Sequence, residues 1–90
     1  MATVVNKRTS AFDVYIGRGS KWGNPFVMRS EADRERVIEQ SRKYLWEQIK
    51  TGAITKDELR VLDGKRLGCF CAPKACHGDV IVAAIKWSKQ

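Results

Sequence analysis

All three cysteines and the only histidine of this 90-residue chain fall within nine residues, Cys69-Phe70-Cys71-Ala72-Pro73-Lys74-Ala75-Cys76-His77, followed directly by Gly78 and Asp79. Three kinds of chemistry suit such a cluster. Cys69, Cys71, Cys76 and His77 offer four zinc ligands, and a closed tetrahedral site would help a small core hold together. The spacing works against a regular knuckle, because side chains at i and i+2 of a strand lie too far apart for two sulfurs of one tetrahedron unless the chain bends. The second chemistry is thiol catalysis. Cys71 near a helix N-terminus would be a low-pKa nucleophile, with His77 as acid/base and Asp79 orienting it or acting itself. The adjacent Cys76 is a poorer partner for His77. The plain alternative is packing, with cysteines as small buried hydrophobes beside a histidine that caps a helix.

A second block, Gly17-Arg18-Gly19-Ser20-Lys21-Trp22-Gly23-Asn24-Pro25-Phe26, gathers three glycines, several hydrogen-bond donors and two aromatic rings. Glycines let the main chain approach a ligand, while Arg18, Gly19, Ser20, Lys21 and Asn24 are suited to hold a phosphate or a base edge. Trp22 or Phe26 could stack on a ring. The spacing matches neither a Walker loop nor the dinucleotide fingerprint. The packing alternative is a turn-rich loop whose aromatics fill the core.

These blocks need elements to position them. Thr3 to Asn6 and Phe12 to Ile16 carry the β-branched and aromatic residues of strands. Ser30 is a plausible N-cap, with Glu31 and Asp33 in the first turn. From there Val37, Ile38, Ser41, Leu45 and Ile49 recur at helical spacing until Gly52 stops the helix. Thr55 and Glu58 form a capping-box pattern for a short helix through Leu62, closed by Asp63-Gly64. Lys65 to Cys71 reads as a third strand ended by Pro73, and Asp79 to Ile85 as an almost wholly apolar, buried helix sealed by Trp87. The expected fold class is α/β: one domain over residues 1–90, with a short mixed three-stranded sheet packed by two or three helices in the order β-β-α-α-β-α.

The net charge of +7 is unevenly spread. Residues 1–29 hold five basic side chains against one acidic, giving +4; residues 30–64 hold seven against eight, giving −1; residues 65–90 hold five against one, giving +4. Both positive ends contain a candidate block, so a field that attracts phosphates surrounds them if they meet in space. An odd number of cysteines and no apolar run of about 18 residues suggest reduced thiols in a soluble cytoplasmic protein without a membrane partner.

The ordered blocks Val-Val-Asn-Lys-Arg, Asp-Val-Tyr-Ile-Gly-Arg-Gly-Ser-Lys-Trp-Gly-Asn-Pro-Phe and Leu-Gly-Cys-Phe-Cys-Ala-Pro-Lys-Ala-Cys-His-Gly-Asp-Val resemble a small family of uncharacterised bacteriophage and bacterial proteins, a domain of unknown function. The resemblance spans nearly the whole chain. It implies a phage setting, with host cytoplasm as the compartment, and nucleotide metabolism, DNA modification or neutralisation of host defence as themes.

The reading that joins both blocks places them at one end of the sheet around a phosphate-bearing ligand, a nucleotide or nucleotide derivative. Its ligand-binding set is Asn6, Arg18, Gly19, Ser20, Lys21, Trp22 and Asn24, with His77 and Asp79 at the ribose or doing chemistry. Binding alone makes a sensor or sponge; a positioned Asp79 makes a glycosidic or phosphoester hydrolase. The rival is a nucleic-acid-binding or host-inhibitory module, possible with zinc, whose basic face would join Lys7, Arg8, Arg18, Lys21, Arg29, Lys65, Arg66 and Lys74.

Overall fold

The computed structural model describes residues 2–17, 20–23, 26, 29–69 and 77–90. Its elements are β1 (Thr3–Asn6), β2 (Val14–Tyr15), a 3-10 turn (Glu31–Asp33), α1 (Arg34–Thr51), α2 (Lys56–Val61), β3 (Arg66–Cys69) and α3 (His77–Ser88). This is the α/β order read from the sequence. The sheet order is β1-β3-β2, and both pairings are parallel, Val4 opposite Leu67 and Val14 opposite Leu67 from the other side. The expectation of a mixed sheet is therefore corrected to a parallel one.

The physical reason lies in residues 7–13. A hairpin would have made β1 and β2 antiparallel neighbours. Instead the chain turns at Asn6, whose carbonyl accepts from the amides of Thr9 and Ser10, and returns to the start of the sheet before β2 begins. Asp13 anchors that return: its amide donates to the Arg66 carbonyl at 2.8 Å, and its carboxylate accepts from the Arg66 amide and guanidinium. The guanidinium holds the Asp13 carboxyl below its ordinary pKa. On the way down, Phe12 passes over Gly68, where an added Cβ would lie 2.7 Å from the ring. Phe12 thus leaves the strand expected over Phe12 to Ile16 and covers the sheet face instead.

The other face carries the helices. Leu67 and Cys69, two apart and on the same side of β3, join Ile16, Leu45, Leu59, Ile81 and Ile85 in one buried cluster. Fully burying each such side chain stabilises the fold by about 1.5–3 kcal/mol before chain entropy is counted. α1 buries Val37, Ser41 and Leu45 and ends at Gly52, whose φ of 86° is the left-handed conformation expected of a helix stop. α2 starts in the capping box that Thr55 and Glu58 predict, with both reciprocal bonds made. α3 begins at His77, two residues before the expected start. Its end is held by the Arg60 guanidinium, which donates to the Ser88 carbonyl at 2.8 Å, and by Trp87 packed edge-on against Trp46 at 4.9 Å. Among the described residues no helix is long and apolar enough to cross a membrane.

Candidate functional site

Because all three strands run the same way, their carboxyl ends lie on one side of the sheet, and each releases one of the segments singled out above. Asn6 stands opposite Cys69 in the register, Lys7 donates its amide to the Cys69 carbonyl at 2.7 Å, and Ile16 donates to the Gly68 carbonyl at 3.0 Å. The chain after β1, the glycine block after β2 and the cysteine/histidine block after β3 therefore start side by side. In open parallel sheets this is where ligands collect.

His77 ties two of the segments together. Its Nε2 lies 2.7 Å from the Ile16 carbonyl oxygen, so Nε2–H donates and Nδ1 keeps the lone pair. Burial lowers the imidazole's pKa below its ordinary value, against the opposing pull of the Ile16 hydrogen bond and the Asp79 carboxylate. Gly78 lets α3 come close to the sheet here, since a Cβ would meet Val4 Cγ2 at 2.9 Å and Ile16 Cδ1 at 3.0 Å. Asp79 is exposed in the first turn of α3.

The glycine block turns immediately after Ile16. Ser20 donates both its amide, at 3.1 Å, and its hydroxyl, at 2.7 Å, to the Gly17 carbonyl, and Gly23 donates to the Ser20 carbonyl. A side chain at Gly17 would collide with the Tyr15 ring, on whose face the Lys7 ammonium sits 4.6 Å from the centroid. Lys21 forms an ion pair with Glu58, and Trp22 packs half-buried against the core. Asn6 uses its side-chain carbonyl to accept from the Arg8 amide at 2.9 Å. Several residues expected to serve a ligand thus also build the loop. The Lys21–Glu58 pair is partly solvent-exposed, and such pairs contribute only about 0–1 kcal/mol, so an anion can compete for the ammonium.

Of the four candidate zinc ligands, Cys69 is 1% exposed inside the apolar cluster, the setting of a small buried hydrophobe, and His77 spends Nε2 on Ile16. Cys71 and Cys76 lie outside the described residues, as do Arg18, Gly19 and Asn24. Among the described residues no group of three or more metal-ligating side chains comes together.

A shallow cleft of about 290 Å³, counting its open mouth, opens beside His77. The loop contributes Lys21, Trp22 and Gly23, α3 contributes His77 and Ile81, and α1 contributes Ser41, Tyr44 and Leu45, with Ile54 behind them. Ser41 and Tyr44 were not among the expected site residues. One signal for Ser41 was in the sequence: it is the polar member of the stripe Val37, Ile38, Ser41, Leu45, Ile49. Tyr44 gave none, because its position beside that stripe reads as surface until the loop is seen to fold over it.

The family model described as a domain of unknown function, DUF4326, matches residues 3–87. An uncharacterized 12.4 kDa protein in the nrdA-td intergenic region of Enterobacteria phage T4 is 51% identical over 81 residues, covering 90% of this chain and 74% of the phage protein. The uncharacterized protein R718 of Acanthamoeba polyphaga mimivirus is 30% identical over 95 residues, covering 82% of this chain and 67% of its own length. No solved structure matches the chain.

Proposed function

The chain belongs to the DUF4326 family, and on that premise we propose that it binds a phosphate-bearing small ligand, a nucleotide or nucleotide derivative, at the carboxyl ends of its three parallel strands. The observation that carries this reading is the His77–Ile16 contact, which brings the start of the glycine block and the start of α3 together at that end. Lys7, Arg8 and Lys21 supply positive charge, and the first turn of α3 adds amide groups and the favourable end of the helix dipole. Neutral His77 offers Nδ1 as an acceptor for a ribose hydroxyl, and Asp79, two residues on in the first turn of α3, is the candidate general base if the ligand is processed instead of held.

The same geometry argues against the nucleic-acid module. The basic face it needs is divided: Lys65 and Arg66 lie at the amino end of β3, whereas Lys7 and Arg8 follow the carboxyl end of β1, about 10 Å away along a four-residue strand. Arg66 is engaged with Asp13 and Lys21 with Glu58. Much of the remaining positive charge is dispersed along α1, where Arg34, Arg36 and Arg42 pair with Glu31, Asp33 and Glu39.

The test is calorimetric titration of the full chain with nucleoside 5′-monophosphates and inorganic phosphate. Saturable nucleotide binding that weakens several-fold in a Lys7→Ala, Arg8→Ala double variant supports the reading. Absence of binding to nucleotides and to phosphate overturns it.

A further inference from the structure

Ser41 is 6% exposed, yet among the described residues no hydrogen bond reaches its hydroxyl. No sealed, unsatisfied side-chain atom exists among the described residues, so the hydroxyl is not shut away in the core; it opens on the cleft that Ser41 lines. Around it the cleft is lined by apolar and aromatic side chains together with Lys21 and His77. Leu45, Ile54 and Ile81 form its floor, and Trp22 and Tyr44 line it from the loop and from α1. Tyr44 is 42% exposed, with the edge of Phe26 packed against it at 6.1 Å between centroids.

We infer that this cleft takes the planar heterocycle of the ligand, with the ring against Trp22 and Tyr44 and its polar edge on the Ser41 hydroxyl. The chemical class follows from the lining. Aromatic side chains reward a flat π-system, and the Ser41 hydroxyl can donate to a ring nitrogen or carbonyl or accept from a ring N–H. His77 stands at the boundary between this cleft and the strand ends, where the sugar of a bound nucleotide would cross. The inference rests on the phosphate reading above and adds two specificity residues, Ser41 and Tyr44.

The experiment compares uridine 5′-monophosphate, adenosine 5′-monophosphate, ribose 5-phosphate and the two unphosphorylated nucleosides by titration calorimetry, with the wild-type chain and the variants Ser41→Ala and Tyr44→Leu. Alanine is a better helix former than serine, so Ser41→Ala keeps α1 folded, and Tyr44 is too exposed for its loss to unfold the domain. The expected result is that a nucleotide binds at least about tenfold tighter than ribose 5-phosphate. Ser41→Ala should cost that nucleotide about three- to tenfold, the range of one lost hydrogen bond, and leave ribose 5-phosphate unchanged. Nucleotides and ribose 5-phosphate binding alike, with neither variant changing either, overturn the base cleft and leave the phosphate site standing. Nucleosides binding as tightly as their nucleotides, and losing affinity in both variants, uphold the cleft and overturn the phosphate site. No binding of any probe overturns both.

Discussion

His77 and Ile16, 61 residues apart in the chain, meet through a 2.7 Å hydrogen bond from an imidazole nitrogen to a main-chain carbonyl. The bond joins the first residue of α3 to the chain leaving β2, so it closes the fold at the end where the candidate site lies. A side chain that serves the fold in this way has its ring orientation set by that bond.

Stability should therefore depend on pH through His77. Burial places its folded pKa below the ordinary 6.5. Between those two values the unfolded chain binds the proton and the folded chain does not. The contribution of neutral His77 is thus complete above about pH 6.5 and is lost as pH falls toward the folded pKa. Thermal melts from pH 7.5 to 5 should show the wild type losing stability over this window more steeply than His77→Gln, which has no titrating group there. Asp13, held low by Arg66, adds its own loss only at more acid pH. Parallel slopes for the two proteins would contradict this account of His77.

Gly68 and Phe12 should be energetically coupled. A methyl group at Gly68 would lie 2.7 Å from the Phe12 ring, so Gly68→Ala must push the ring off the sheet. The expected cost is about 1–3 kcal/mol, the range for overpacking. In a Phe12→Ala background the same substitution should cost far less, because the obstructing ring is gone. Urea denaturation of the four proteins of the cycle measures the coupling; additive effects would mean that Phe12 does not cover Gly68 in solution.

Thr55→Ala should destabilise the domain by about 1 kcal/mol. Its hydroxyl accepts from the Glu58 amide at 3.2 Å, and Glu58 returns a bond to the Thr55 amide. Glu58 also pairs with Lys21. Removing Glu58 should therefore loosen the glycine block as well as α2, seen as faster amide exchange at Ser20 to Gly23 in Glu58→Ala than in Thr55→Ala.

Binding to generic duplex DNA should be weak and shallow in its salt dependence. A continuous basic face contacting six or more phosphates would lose about a thousandfold or more in affinity between 50 and 200 mM salt. Arg66 is engaged with Asp13 and Lys21 with Glu58, which leaves fewer cations free to contact phosphates. Fluorescence anisotropy over that salt range tests this, and a steep slope would favour the nucleic-acid module.

What the sequence by itself determined was local. The capping box at Thr55 and Glu58, the left-handed stop at Gly52, the apolar stripe of α1 and the buried character of α3 depend on residues within a few positions of one another, where propensity and periodicity act directly. The concentration of chemistry in two blocks was legible for the same reason. The parallel sheet was not, because strand direction is set by where residues 7–13 travel, and that depends on Asp13 meeting Arg66 and Phe12 meeting Gly68 across 53 and 56 positions. Nor was the division of labour in the glycine block, where Ser20 holds Gly17 and Lys21 reaches Glu58. Only the tertiary structure brought Ser41 and Tyr44 from the middle of α1 to Trp22 and His77. A helix's periodicity names the face it buries, but the loop that will close over that face is chosen by packing between segments distant in the chain.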